Sequence, residues 1–374
     1  NMIYLLSFIF IIAIPIFLHE LGHFMAARSV GIRVEKFYVG FNFFGLGIKK
    51  KYKGTEYGIG AFPIGGYVKV SGILDENLDT ENLKESEKKD YEFRSKNVFQ
   101  KLWFLSAGVL MNFLLSIIIF TGIFYTNGIS DIIDEPIIGS IHQNIPTLDL
   151  NGNNSTIPSP AYELGLLADD KILEINNFKI NNWIDIGNQI SSIPNTMVQI
   201  KWIRAGKIFV DSVKVSSGIF PEKGAIVEKG ILGIMAQTEH FNLNLFESIS
   251  LSSQRTFEII RDTFYSFIGL ITGNISFKYM SGIVGIVDIA GQTAQQDQAM
   301  LKLLFLMAYI SANLGLINIL PIPGLDGGHA ALAIIEGLIG RDLPIQIKYG
   351  IQSIGFFLIL FLFIFKIYND LIKL

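Results

Sequence analysis

Four stretches of this chain are long and apolar enough to cross a bilayer, and that restricts the fold more than any other feature. About 20 mostly apolar residues cover the hydrocarbon core. In lipid every backbone polar group must be satisfied within the chain, so such stretches become helices. The first runs from Met2 to about Ala27, the second from Lys101 to Tyr125, the third from Met300 to about Ile322 and the fourth from Gly350 to Tyr368. Composition agrees: half of the 374 residues are hydrophobic and 17% are charged, against roughly 25% charge in an average soluble domain. The first segment reads as a span and not as a signal peptide, because its first basic residue, Arg28, follows the apolar run. A fifth stretch, about Leu245 to Leu270, carries Glu247, Arg255, Glu258, Arg261 and Asp262 at helical spacing. It reads as an amphipathic helix lying on the membrane surface or packed against the bundle.

Basic residues orient the spans. The loop after Arg28 holds Arg33, Lys36, Lys49, Lys50, Lys51 and Lys53, so it is expected on the cytoplasmic side. The N-terminus and the segment from about Asn127 to Phe241 are then outside. Four spans put the C-terminus outside as well, with Lys366 and Lys373 against the rule. The outer segment, Ile129 to Gln237, alternates strand-like runs with turn signals and reads as a soluble α+β domain. Within it a short helix leads to a turn at Asp169-Asp170, a strand, a hairpin turn at Asn176-Asn177 and a second helix; a further hairpin turns at Arg204 to Lys207. The stretches Leu148 to Pro160 and Asp75 to Lys96 read as solvated loops. A net charge of −3 offers no basic footprint for nucleic acid.

The chemistry concentrates in HELGH, residues 19 to 23, at the inner end of the first apolar run. On a helix, positions i and i+4 share a face, so His19 and His23 can hold one metal ion while Glu20, beside it, takes a proton from water. Ionisable groups at membrane depth are costly and by default functional. The chain has no cysteine, which leaves His, Asp and Glu as the strong ligands for a third coordination position. Asp326, in NLGLINILPIPGLDGGHAA, is the preferred candidate; His142, His240 and His329 remain, with His329 the direct competitor or an outer partner. Pro321 and Pro323 break the third helix, and Gly324, Gly327 and Gly328 are expected to let the backbone turn tightly. Both the first and the third spans run from outside to inside, which puts Asp326 at the depth of HELGH.

HELGH, AFPIGGYVKVSG, an outer domain, SGIVGI and NILPIPGLDGG occur here in this order. Together they resemble the site-2 protease family of intramembrane zinc metalloproteases, and within it the bacterial RseP-type subgroup, over nearly the whole chain. The resemblance implies one Zn2+ per chain on His19, His23 and Asp326, with Glu20 as general base. It implies that the outer domain is a single PDZ domain, where many members carry two. Tyr57 to Gly72, read as strand, turn and strand with Gly65-Gly66 near the turn, is similar to the membrane-associated β-hairpin of the family. There an exposed strand edge can pair with an unwound substrate, which makes Gly65, Gly66 and Tyr67 candidate substrate contacts. Asn318 matches a family position that contacts substrate, and its residue type equally suits a helix–helix hydrogen bond. Two departures stand out: Val109 in SAGVLMN and Ile283 in SGIVGI replace prolines common in the family.

The expectation is thus a mainly α membrane protein: a first transmembrane helix over 1–28, a cytoplasmic loop over 29–100 with a β-hairpin at about 55–72, and a second helix over 101–126. A PDZ domain over 129–237, an amphipathic helix over 244–271, a third span over 298–322 leading to the LDGG turn, and a fourth over 350–370 complete it. It sits in a bacterial cytoplasmic (inner) membrane with the active site near the cytoplasmic face, and it hydrolyses peptide bonds within transmembrane segments. Its partners are transmembrane substrates, anti-sigma-factor-like proteins or remnant signal peptides by analogy, and the bilayer. The rival readings are a non-catalytic membrane-anchored PDZ adaptor, which has no use for Glu20 or Asp326, and a transporter, which would show repeated halves.

Overall fold

The computed structural model describes residues 2–42, 46–73, 89–148, 154–276 and 282–372. Most of the charged loop from Asp75, part of the loop after Leu148, and Ser281 of SGIVGI lie outside the described residues. The chain forms two units. One comprises Asn1–Ile123, Leu245–Thr263 and Ser281–Leu374; the other comprises Phe124–Asn244 and Phe264–Met280.

The first unit begins with helix α1 (Met2–Ser29), which carries HELGH in its last turns. Pro15 lies inside α1, four residues before His19, where its missing N–H frees the Ile11 carbonyl. Four strands follow: β1 (Val34–Phe41), β2 (Gly47–Tyr52), β3 (Thr55–Gly60) and β4 (Phe62–Val70). Helix α2 (Val98–Asn127) comes next. Asn97 and Gln100 cap its start reciprocally, each side chain accepting from the other's backbone N–H.

The expected hairpin over Tyr57 to Gly72 is not one. The sheet order is β2-β3-β1-β4, so β1 lies between the two strands of that stretch. β3 runs parallel to β1, with Lys36 opposite Glu56, and β4 runs antiparallel to it, with Tyr38 opposite Tyr67. The chain crosses the end of β1 at Ala61. The hairpin is instead β2–β3, turned by Lys53 and Gly54, both with positive φ. The reason lies in β1 (VEKFYVGF), whose backbone groups pair along both of its edges. Tyr38 at its centre is buried, and its hydroxyl donates to Glu56 at 2.6 Å. That bond holds the Glu56 carboxyl below the usual carboxylate range.

The second unit is built mainly of strands, so the chain has mixed α/β content beside its long helices. Its elements are β5 (Ile129–Ile132), β6 (Ile138–Ile141), β7 (Asn144–Leu148), β8 (Asn154–Pro158), α3 (Pro160–Glu163), β9 (Lys171–Ile175), β10 (Phe178–Lys179) and α4 (Trp183–Ser191). These are followed by β11 (Met197–Arg204), β12 (Lys207–Lys214), β13 (Ser216–Glu222), β14 (Ala225–Ile231), β15 (Ile234–Ala236) and β16 (Thr238–Phe241). The turns at Asn176-Asn177 and Ala205-Gly206 fall as expected, each with two positive φ angles. Asn182 and Asp185 form a capping box on α4. The sheet β10-β9-β11-β12 covers a core of Ile172, Ile175, Ile186, Ile190, Val198, Ile200 and Trp202. Fully buried Asp170 accepts two hydrogen bonds from Arg204, at 2.6 and 2.7 Å, and one from the Leu167 N–H at 2.8 Å.

Helix α5 (Leu245–Ile271) continues the chain, and its residues to Thr263 belong to the first unit. Its buried stripe there is Ser248, Ser252, Thr256 and Ile259, while Phe246 and Phe257 are exposed. Of the two expectations for this helix, packing against the bundle describes that stripe. Thr256 meets Ser116 of α2 at 3.2 Å, and the Thr263 hydroxyl donates to Asn313 at 2.7 Å. Then come α6 (Ile283–Thr293), α7 (Ala299–Ile319), α8 (Asp326–Ile339) and α9 (Ile345–Ile372). α1, α2, α7 and the Ile345–Leu362 part of α9 are long and apolar enough to span a membrane, at the four places read from sequence. Helix packing here uses small residues: a Cβ on Gly22 of α1 would stand 2.5 Å from the Ala107 carbonyl oxygen of α2.

Candidate metal centre

Three side chains from two distant segments meet in the first unit. His19 Nε2 and His23 Nε2 are 3.1 Å apart, and Asp326 Oδ2 lies 3.1 Å from the former and 3.2 Å from the latter. Both histidines are buried. Their spacing of four places them on one face of α1, and the rings stand nearly perpendicular at 81°.

Asp326 arrives by a broken helix. α7 ends at Ile319, Pro321 and Pro323 prevent its continuation, and Gly324 turns the chain at φ +91°. The LDGG segment differs from the expected turn: Asp326 is the first residue of α8, and Gly327 and Gly328 are helical. Their role is close approach. A Cβ on Gly327 would stand 2.1 Å from the Leu320 oxygen, and one on Gly328 2.3 Å from the Ile322 oxygen. A carboxylate in the first turn of a helix also sits at its favourable end. Gln352 of α9 holds the turn, accepting the Gly324 N–H and lying 3.5 Å from His329 Nδ1.

Glu20 lies beside the cluster and receives a hydrogen bond from the Val68 backbone of β4. Together with the three ligand candidates it lines a cavity of about 590 Å³, to which Tyr67, Asn112, Asn318 and His329 also contribute. Asn318 Nδ2 is 3.5 Å from His19 Nε2, so this residue faces the cluster. Gly65 and Gly66 lie inside β4 and not at a turn, Gly65 with φ +99°. A Cβ on Gly66 would stand 3.3 Å from Glu20 Cγ, so the missing side chain admits the glutamate. Tyr67 stacks on Tyr38 with ring centroids 5.1 Å apart. His329 lines the cavity but stands outside the cluster, while His142 and His240 belong to the second unit.

Helix α2 supplies what the motifs did not announce. The Phe104 carbonyl lies 2.9 Å from His23 Nδ1, and Asn112 Nδ2 lies 3.2 Å from His19 Nδ1. Between them Gly108 faces both rings: a Cβ there would be 2.5 Å from His23 Nε2 and 2.8 Å from His19 Nε2. Positions 104, 108 and 112 are one helical face; Gly108 and Asn112 fall in SAGVLMN, the stretch compared above with the family's second-helix pattern, and Phe104 lies just before it.

The residues present fit a zinc ion. Two imidazole nitrogens and a carboxylate oxygen are a donor set that zinc takes at catalytic sites, with a fourth position left open. Among the described residues these three form the cluster whose ligand atoms all lie within 4.8 Å of one another. A carbonyl oxygen can only accept, so His23 Nδ1 carries a proton and, in the neutral ring, its Nε2 offers a lone pair. Gly108 keeps the space beside both Nε2 atoms free.

Comparison with known proteins agrees with this geometry. The model of peptidase family M50 matches residues 7–362. A Campylobacter jejuni protein described as a "putative zinc metalloprotease" is 33% identical over 99% of this chain and 93% of its own. A Rickettsia conorii protein with the same description is 30% identical over 99% of both chains. One from Helicobacter pylori is 30% identical over 98% of both.

Proposed function

The chain belongs to peptidase family M50 and is a membrane zinc metalloprotease of the site-2 type, and on that premise we propose that it hydrolyses peptide bonds inside transmembrane segments of other proteins. The observation that carries this reading is the convergence of His19, His23 and Asp326 within 3.2 Å beside Glu20, with both histidines on a helix apolar enough to span a bilayer and Asp326 at the start of the short helix that follows another. Zinc held by these three residues would act, when bound, as a Lewis acid toward the scissile carbonyl and lower the pKa of the attacking water to about 7.

The chain's own residues do the rest. Glu20 borders the cavity and takes the proton of the attacking water. It then delivers a proton to the amine nitrogen as the C–N bond breaks. Asn318 stands on the cavity wall where a substrate carbonyl would lie, and its amide can donate to it. A helical peptide bond is shielded by its own hydrogen bonds, so the substrate must be extended first. β4 is suited to hold it extended, being an edge strand that packs against α1 and whose Val68 N–H reaches Glu20. A substrate strand added at this edge would run past Gly66 and Tyr67 toward the metal.

Orientation follows the lysines of the β1–β3 region, which favour the cytoplasmic face. The active site then lies near that face of a bacterial cytoplasmic membrane, and the second unit lies outside it as one PDZ domain. By analogy with the family, the substrate classes we propose are single-span anti-sigma-factor-like proteins or remnant signal peptides.

The test is zinc content together with cleavage of a labelled single-span peptide in liposomes. Wild type should hold about one zinc and cut within the span. Glu20→Gln should keep its zinc and lose the cut. A wild type that holds zinc yet cuts only peptides free in water would refute the intramembrane reading. A wild type that holds none would favour the adaptor.

A further inference from the structure

We infer that Asn112 is a positioning residue of the metal centre: its side-chain carbonyl accepts a hydrogen bond from His19 Nδ1–H and so fixes the tautomer whose Nε2 lone pair faces the metal. The inference rests on the zinc reading above and goes beyond its three ligands and its general base.

Asn112 is 1% exposed, in the middle of a helix most of whose residues are apolar. Burying an amide there costs free energy unless it is hydrogen-bonded. Packing alone gives no reason for it. Its backbone is already held, since the Ser311 hydroxyl of α7 donates to the Asn112 carbonyl oxygen at 2.8 Å. The side chain makes its contact with His19 Nδ1 at 3.2 Å, and Oδ1 has no hydrogen-bond partner.

The two ends of an amide have the same shape, and its orientation follows from the proton on its partner. With Nδ2 toward the ring, His19 Nδ1 must accept, and the neutral ring then carries its proton on Nε2, pointing at Asp326 and His23. That ring cannot ligate through Nε2. With Oδ1 toward the ring, Nδ1 donates and Nε2 is free. Only the second arrangement makes His19 equivalent to His23, whose Nδ1 faces the Phe104 carbonyl. The metal-holding state is therefore the one with Oδ1 against His19. Asn112 also lines the cavity, where water can serve the end of the amide turned away from the ring.

One face of α2 thus prepares both ligands, through a backbone carbonyl for His23 and a side chain for His19. The first survives any substitution at position 104 that keeps the helix. The second depends on what stands at 112, which makes it testable.

The experiment is zinc affinity, by chelator competition, of the purified full-length wild type and of Asn112→Ala, Asn112→Asp and Asn112→Leu. A visible spectrum of each cobalt-substituted form accompanies it. Outer partners of metal-bound histidines typically carry 10–100-fold in affinity. Asn112→Ala and Asn112→Leu should weaken zinc by about that factor and alter the cobalt spectrum, with kcat falling more than KM rises. Asn112→Asp, an acceptor of similar size, should restore both affinity and spectrum. Wild-type affinity and spectrum in Asn112→Ala would overturn the inference, and so would an Asp variant as weak as Ala, since that pattern belongs to packing. Zinc-free wild type would instead overturn the reading on which it rests.

Discussion

Asp326 Oδ2 stands 3.2 Å from His23 Nε2, although 303 residues of chain separate them. Each alone is an ordinary polar group, His23 buried and Asp326 partly exposed. Together with His19 they make a ligand set that neither segment could hold by itself. Asp326→Asn keeps the volume and removes the negative oxygen. Zinc affinity should fall by at least about the hundredfold that marks the upper end for outer partners, while the melting temperature of the metal-free protein changes little. Chelator competition beside a thermal melt checks both.

Glu20 separates chemistry from binding. It lies beside the ligands and contacts the Val68 backbone, so Glu20→Gln should leave zinc content at the wild-type level. General acid–base groups contribute about 10²–10⁴-fold, and the single-turnover cleavage rate should fall within that range. Loss of zinc in this variant would make Glu20 a ligand.

Gly108 faces both imidazoles. In a helix interior, Gly→Ala is intrinsically favourable by about 1 kcal/mol. Here the new Cβ would press on His23 Nε2 at 2.5 Å. Overpacking of this kind typically costs about 1–3 kcal/mol, which offsets the propensity gain, so Gly108→Ala should fold no better than wild type and bind zinc more weakly. A calorimetric melt with and without zinc should show the metal-dependent part of the stabilisation shrink.

The turn before Asp326 depends on α9. Gln352 is buried and accepts the Gly324 N–H. Gln352→Leu should leave that N–H unpaired, at a cost of about 1–3 kcal/mol. Asp326 would be held less firmly, and zinc dissociation measured by stopped flow should speed up with the on-rate little changed.

In the second unit, the bidentate Arg204–Asp170 pair ties β11 to the turn before β9, and Arg204 also donates to the Gly165 carbonyl. Arg204→Ala strands a fully buried carboxylate. Removing one partner of a buried pair costs about 3–5 kcal/mol, discounted here because the arginine is itself partly exposed. Limited proteolysis of the full chain should show faster cutting within 124–244, with zinc content unchanged.

Much of this protein could be read from local order. The four spans, the i, i+4 pair in HELGH, the Pro-Gly break before Asp326 and the two-residue turns at Asn176 and Ala205 each depend on residues within a few positions of one another, and they stand where the sequence puts them. Long-range partnership could not be read so. Tyr57 to Gly72 looks like a hairpin because two strand-like runs adjoin. Only the tertiary structure shows that β1, with its buried Tyr38, lies between them and pairs with both. Asp326 looked like a residue on a turn. The end of α7, pressed against Gly327 and Gly328, makes it the first residue of a new helix. Asn112 and Gly108 fall in SAGVLMN, yet what they and Phe104 touch exists only once α2 lies across α1. Residue types and their spacing determined which atoms could bind a metal; the tertiary structure alone decided which neighbours hold those atoms in a ligating state, because hydrogen bonds between helices obey proximity in space and leave no period along the chain.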